Sequence, residues 1–161
     1  EMLAFNKLVN RLVDESTLEC KHPSNVIKQQ LLEFRDQHFT IHPNKPSAIQ
    51  LLKTPACSAL LPELQNIFSL RLLVCLRDFE AIEHSRQRRG WPEHLGQVGA
   101  ERIYHQLLNF ISSSDAPALF VRHRDLIKPE PLSNLIINLS DFLALKPTLQ
   151  QRQLAIKVVT R

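Results

Sequence analysis

The segment Leu72–Arg89, LLVCLRDFEAIEHSRQRR, constrains the chain most, because an unbroken apolar run stops at an arginine and gives way to a basic, hydroxyl-bearing stretch. Leu72, Leu73, Val74, Cys75 and Leu76 make the continuous apolar run expected of a parallel strand covered on both faces. Arg77 then stands at the carboxyl end of that strand, the edge at which open α/β sheets bind ligands. Asp78 is placed to cap a helix starting near Phe79, in which Ile82, Ser85, Arg86 and Arg89 recur on one face. A phosphate fits between Arg77 and Ser85. The plainer alternative is a strand-end arginine paired with Asp78 or Glu80, with Ser85 solvated.

A second segment, Ala48–Phe68, reads as a short apolar strand, then Lys53-Thr54-Pro55, then a helical run in which Pro62 sits in the first turn with Glu63 beside it. Lys53 falls at the strand's carboxyl end, either as a functional cation or as a plain exposed lysine. A third, Ala118–Leu145, gives a strand, an R-x-x-D-L turn at Arg122–Leu126, a K-P step and a helix. Leu132, Leu135, Ile136, Leu139, Phe142 and Leu143 form the apolar face by which that helix docks on a sheet.

An apolar strand ending in Arg77-Asp78 with Ser85 eight positions after the arginine, a preceding K-T-P with L-L-P, and a later R-x-x-D-L followed by a helix ending in F-L resemble, in order, the motifs of sulfotransferases. The resemblance implies the sulfotransferase branch of the P-loop nucleotide-binding fold, a layered, mainly parallel sheet flanked by helices. It implies that Arg77 and Ser85 bind the 3′-phosphate of 3′-phosphoadenosine 5′-phosphosulfate, that Lys53 is catalytic, and that a sulfuryl group passes to an acceptor hydroxyl or amine on a small molecule, glycan or peptide. Arginine suits a phosphate because its planar fork pairs two N–H donors with two oxygens. Some positions differ from the family pattern. Phe79 replaces a proline, Pro55 stands where a histidine base would, His123 and Arg124 replace a Tyr-Glu pair, and Ala144 replaces a glycine. The glycine-bearing phosphosulfate loop and first strand of that family have no counterpart before Lys53, so this stretch of chain is expected to bind nucleotide with little turnover. A noncatalytic relative acting as a nucleotide-binding or scaffold module is the alternative.

The flanking segments read as helices. Phe5, Leu8, Val9, Leu12 and Val13 share one helical face, with Lys7, Asn10, Arg11 and Asp14 opposite. Ser24 is placed to cap a second helix carrying Ile27, Leu31 and Phe34 and ending near His38, after which Thr40–Pro46 reads as a loop. All three glycines, Gly90, Gly96 and Gly99, fall in one short segment after the basic helix; Trp91–Gly99 reads as a loop, and a helix follows through Ala100, Ile103, Tyr104, Leu107, Leu108 and Ile111. Trp91 is either a packing anchor or part of an adenine or acceptor pocket. Thr148 and Gln151 make a T-x-x-Q capping box for a last helix with Leu154, Ala155 and Val158 inward.

Length and composition fit one domain, residues 1–161, made of a helical segment at 1–46 and a sulfotransferase-like core at 47–161. A formal net charge of +4 favours anionic ligands. The basic run Arg86–Arg89 lacks interleaved aromatics, so it is read as a solvated face rather than a nucleic-acid site. Cys20, Cys57 and Cys75 are widely spaced without C-x-x-C, which supports neither disulfides nor zinc and points to a reducing, cytoplasmic setting. His38 and His42 lack acidic or cysteine neighbours and make a poor metal site. No metal and no membrane partner are expected. An unpaired sheet edge would favour self-association.

Overall fold

The computed structural model describes residues 2–39, 51–126 and 129–159. The chain is α/β with helices predominating and a small parallel sheet. It divides into two compact units, one formed by residues 1–70 and 79–116 and the other by 71–78 and 117–161.

In the first unit, α1 (Met2–Leu12) and α2 (Ser24–His38) bury the faces that their periodicity marks out. Phe5, Val9, Leu12 and Leu31 are fully excluded from solvent and form one cluster with Leu8, Val13, Ile27, Phe34, Leu60 and Leu64. Burying each large apolar side chain contributes about 1.5 to 3 kcal/mol. Aromatic contacts extend this core, with Phe34 lying 5.4 Å from Phe5 and Phe39 5.2 Å from Phe68 between ring centroids. The turn between α1 and α2 is held by Asp14, whose carboxylate accepts from the Ser16 amide at 2.9 Å and the Ser16 hydroxyl at 2.6 Å. These bonds favour its ionised form and lower its pKa. Ser24 does not cap α2. It is the first helical residue, after Pro23 at the N-cap, and its hydroxyl instead donates to Glu63 Oε1 at 2.8 Å. The predicted loop at 40–46, with His42, lies outside the described residues. His38 packs its ring 4.6 Å from that of Phe34.

A 3-10 helix over Pro55–Leu60 leads directly into α3 (Leu61–Gln65), where Pro62 occupies the first turn as expected. α4 (Phe79–Arg89) and α5 (Gln97–Ser112) complete the unit. α5 starts earlier than its apolar spacing suggests, because a 3-10 turn at Glu93–Leu95 and Gly96 at the N-cap bring the chain into helix at Gln97. Gln106 ties α5 to two neighbours. It accepts from the buried Ser58 hydroxyl at 2.7 Å and donates to the Leu18 carbonyl at 3.0 Å. Arg102 also donates to the Ser16 carbonyl.

In the second unit, β1 (Leu72–Leu76) pairs in parallel with β2 (Ala118–Arg122), in the register Leu72↔Ala118 to Leu76↔Arg122. The connection between the strands runs through α4 and α5. The expectation that β1 is covered on both faces is corrected. Only Val74 is buried along it, while Leu73 and Cys75 are exposed, because just two strands are paired among the described residues and the sheet has little breadth to shelter. β2 leads into α6 (His123–Leu126), so the R-x-x-D-L turn is a single helical turn. α7 (Pro129–Phe142) then packs on β2, with Leu132 fully buried and Leu135, Ile136, Leu139 and Phe142 half-buried. Arg71 donates to the Phe142 carbonyl from the start of the unit.

α8 (Leu149–Val159) opens on the capping box read from the sequence. The Thr148 amide donates to Gln151 Oε1 at 2.8 Å, and the Gln151 amide donates to Thr148 Oγ1 at 3.3 Å. Its inward face differs from expectation. Leu154 is 62% exposed, whereas Ala155 is half-buried as expected, with Arg152 and Ile156 also half-buried; the side chain of Val158 lies outside the described set.

Candidate functional site

Arg77 follows β1 directly and is half-buried. The residue register places Arg122 opposite Leu76, so the carboxyl edge of the small parallel sheet carries Arg77 and Arg122 on adjacent strands. Arg122 Nε donates to Asp125 Oδ2 at 2.9 Å, which offsets one of those two charges within the same edge. This Arg122–Asp125 pair is the R-x-x-D of the sequence, and its i,i+3 spacing on β2 and α6 is what closes it.

Ser85 is half-buried in α4. Arg77 belongs to the second unit and Ser85 and Lys53 to the first. Along the chain, Asp78 and the first two turns of α4 separate Arg77 from Ser85.

Lys53 is exposed. The strand expected to end at it is not present over residues 51–54, which form no regular element, while residues 48–50 lie outside the described set. Pro55 shapes only the residue before it. A residue before proline is driven to extended backbone, and Thr54 has φ −154° and ψ 122° as it caps the following 3-10 helix. Lys53 is thus one residue upstream of a helical N-cap rather than at a strand end. Burial pushes the thiol of Cys57, inside that 3-10 helix, up to about 11, which favours the protonated form at neutral pH.

A further polar arrangement, not marked by the motifs above, centres on Glu83. Glu83 Oε1 accepts from Arg86 Nε at 2.8 Å and Nη2 at 2.6 Å, and from Gln87 Nε2 at 3.1 Å. Its other oxygen accepts from the Gln97 amide at 3.2 Å, at the positive N-terminus of α5. The Arg86 bonds come first among the causes that hold the Glu83 carboxyl down at about 2, and the same pairing raises Arg86. Arg86 Nη1 also donates to the Trp91 carbonyl at 2.9 Å. The helix ends here in two bonds that reverse the chain. The Gly90 amide donates to the Gln87 carbonyl and the Trp91 amide to the Arg86 carbonyl, both at 3.1 Å, with Gly90 at φ 63°. Gly96 leaves room for the Glu83 and Arg86 side chains, which a Cβ there would push aside at Glu83 Oε2 and Arg86 Cδ. The glycines at 90 and 96 therefore shape the α4–α5 connection. The sequence signal for this hub was E-x-x-R at i,i+3 followed by a glycine before a new helix.

Arg86 is thereby committed to Glu83 and Trp91, and Arg89 lies over the Trp91 ring with its guanidinium carbon 4.5 Å from the centroid. The ring of Phe79 packs 5.6 Å from that of Tyr104, joining α4 to α5 at the other end.

Shallow grooves run along α1 and α2, sharing Arg11, Gln30 and Glu33, and neither includes Lys53, Arg77 or Ser85. Among the described residues no group of histidine, cysteine and carboxylate side chains could hold a metal ion, and no helix is long and apolar enough to cross a membrane. No family model matches the chain, and no curated protein or solved structure is found similar to it.

Proposed function

We propose that this chain is a sulfotransferase-like protein that binds a 3′-phosphorylated adenine nucleotide through Arg77 and Ser85. The observation that supports the reading is the local order of β1, Arg77 and α4: a parallel strand, an arginine at its carboxyl edge, and a helix that carries a half-buried serine. The guanidinium supplies paired N–H donors to the phosphate and the Ser85 hydroxyl supplies one more. In the transfer reaction, the bond between sulfur and the bridging phosphate oxygen breaks while the acceptor oxygen or nitrogen bonds to sulfur. Lys53 would neutralise charge on the transferring group. Pro55 stands where the family's histidine base would, and no other side chain is assigned that role.

A second reading, a noncatalytic relative that keeps only the nucleotide site, is favoured by the structural use of Gly90 and Gly96 in the α4–α5 connection. Holding a phosphosulfate calls for a loop of backbone N–H groups, the task glycines perform in nucleotide loops. Acceptor assays with 3′-phosphoadenosine 5′-phosphosulfate and a panel of phenols, sugars and amines separate the two. Turnover that falls in Lys53→Ala while donor affinity holds supports transfer. Binding without turnover supports the second reading, and absence of nucleotide binding contradicts both.

A further inference from the structure

The basic helix α4 has no aromatic among Arg86–Arg89, but the fold brings one against it from just beyond the helix end. Trp91, the sole tryptophan of the chain, is 41% exposed. Its backbone is fixed at both polar atoms, since the amide donates to the Arg86 carbonyl at 3.1 Å and the carbonyl accepts from Arg86 Nη1 at 2.9 Å. Pro92 follows with φ −55°, so the ring is presented on a stiff corner. Arg89 lies against that ring, and the exposed Arg88 precedes it in the last turn of α4. Fixing the backbone of an exposed indole that one cation covers in part costs conformational entropy in advance, which a ligand then need not supply.

We propose that the Arg88–Arg89–Trp91 corner binds single-stranded nucleic acid, with a base stacked against the exposed part of the Trp91 ring and flanking phosphates paired with Arg88 and Arg89. Stacking on an aromatic ring suits an unpaired base of any sequence, whereas a duplex hides its base faces. The two arginines supply the backbone attraction, and the net charge of +4 over the chain favours approach of a polyanion. Glu93, exposed and close along the chain, opposes it. This site is independent of the Arg77 reading.

Because Trp91 is the only indole, its fluorescence reports this corner alone. Titrating the intact protein with a single-stranded oligonucleotide of about 12 nucleotides, within the span of known single-strand sites, should quench that emission at low salt. Two phosphate contacts give a slope of log affinity against log salt of roughly −1.4, which Arg88→Ala should reduce by about 0.7. Read by anisotropy of a labelled strand, Trp91→Ala should weaken binding about ten- to a hundredfold, and Glu93→Gln should tighten it. No quenching at low salt, equal affinity in Trp91→Ala, or equal quenching by the matching duplex or by phosphatidylserine vesicles overturns the proposal. Should Trp91→Ala fail to fold by circular dichroism, the exposed Arg88→Ala decides, and an unchanged affinity and slope contradicts the site.

Discussion

Glu83 holds Arg86 by two hydrogen bonds to one carboxylate oxygen, at 2.8 and 2.6 Å, and gives its second oxygen to the first amide of α5. One side chain thus links two helices, braces the Trp91 corner through Arg86, and occupies the space that a side chain at position 96 would enter.

Glu83 is held at about 2, below its ordinary value of 4.5, so the folded state favours its charged form. Its contribution to stability is complete above the ordinary value and is lost as pH falls from there through the folded value. Chemical denaturation from pH 6 down to about 2 should show stability falling over that window, and Glu83→Gln should be less stable at neutral pH with a flatter profile. An unchanged profile in the variant would remove Glu83 from the account. Added salt should also weaken the pair, because it is partly exposed to solvent.

Ala144 and Leu18 share a left-handed backbone, with φ of 52° and 58°, yet substitution to glycine should act oppositely at the two positions. Ala144 ends α7 with its amide donating to the Asp141 carbonyl at 3.0 Å while the Leu145 amide donates to that of Ser140 at 2.7 Å, the bonds of a glycine-type helix stop. It is exposed, so Ala144→Gly should relieve the Cβ clash and stabilise by about 1 kcal/mol, after the entropy cost of glycine. Leu18 is only 6% exposed, and Leu18→Gly should cost about 2 to 5 kcal/mol through lost burial and a cavity. Denaturant midpoints of the two variants check the signs.

Gly96→Ala should disrupt the hub without touching the core, because the new methyl meets Glu83 and Arg86 side chains rather than backbone. The expected outcome is a folded protein with an altered Trp91 emission and the acid profile of Glu83→Gln. An unaltered Trp91 spectrum would show that the two carboxylate bonds survive the substitution.

Thr148→Ala removes one half of the α8 capping box and should cost about 0.5 to 2 kcal/mol of that helix's stability. Amide hydrogen exchange should quicken at Gln151, whose amide donates to Thr148 Oγ1. Unchanged exchange there would mean that water satisfies the amide equally well.

What could be read in advance was whatever depends on neighbours in sequence. The apolar run at Leu72–Leu76, the helix beginning at Phe79 and the Thr148–Gln151 box are set by local chemistry, and each stands where the sequence puts it. Reading failed where a distant partner decides. Ser24 looked like a cap, but Glu63 of α3 takes its hydroxyl. The start of α5 was misplaced because Glu83, fourteen residues before Gln97, receives the first amide. Two-sided cover for β1 was inferred from its apolar letters, although composition alone cannot say how many strands pair beside it. For the site, the position of Arg77 at a strand end was legible, whereas the setting of Lys53 was not, because an apolar run before a K-T-P step does not say whether a neighbouring strand is there to pair with it; Lys53 stands just before the N-cap of a 3-10 helix.

The central claim, that Arg77 recognises a 3′-phosphate, is tested most directly by calorimetry with adenosine 3′,5′-bisphosphate and adenosine 5′-monophosphate on the intact protein and on Arg77→Ala. The account predicts that the intact protein prefers the bisphosphate, and that Arg77→Ala loses about ten- to a hundredfold of affinity for it, the equivalent of a charge-assisted pair of about 1.5 to 3 kcal/mol. Affinity for the monophosphate should stay the same, so that the preference disappears. Equal affinity of the two proteins for the bisphosphate, or a preference that survives the substitution, would contradict it.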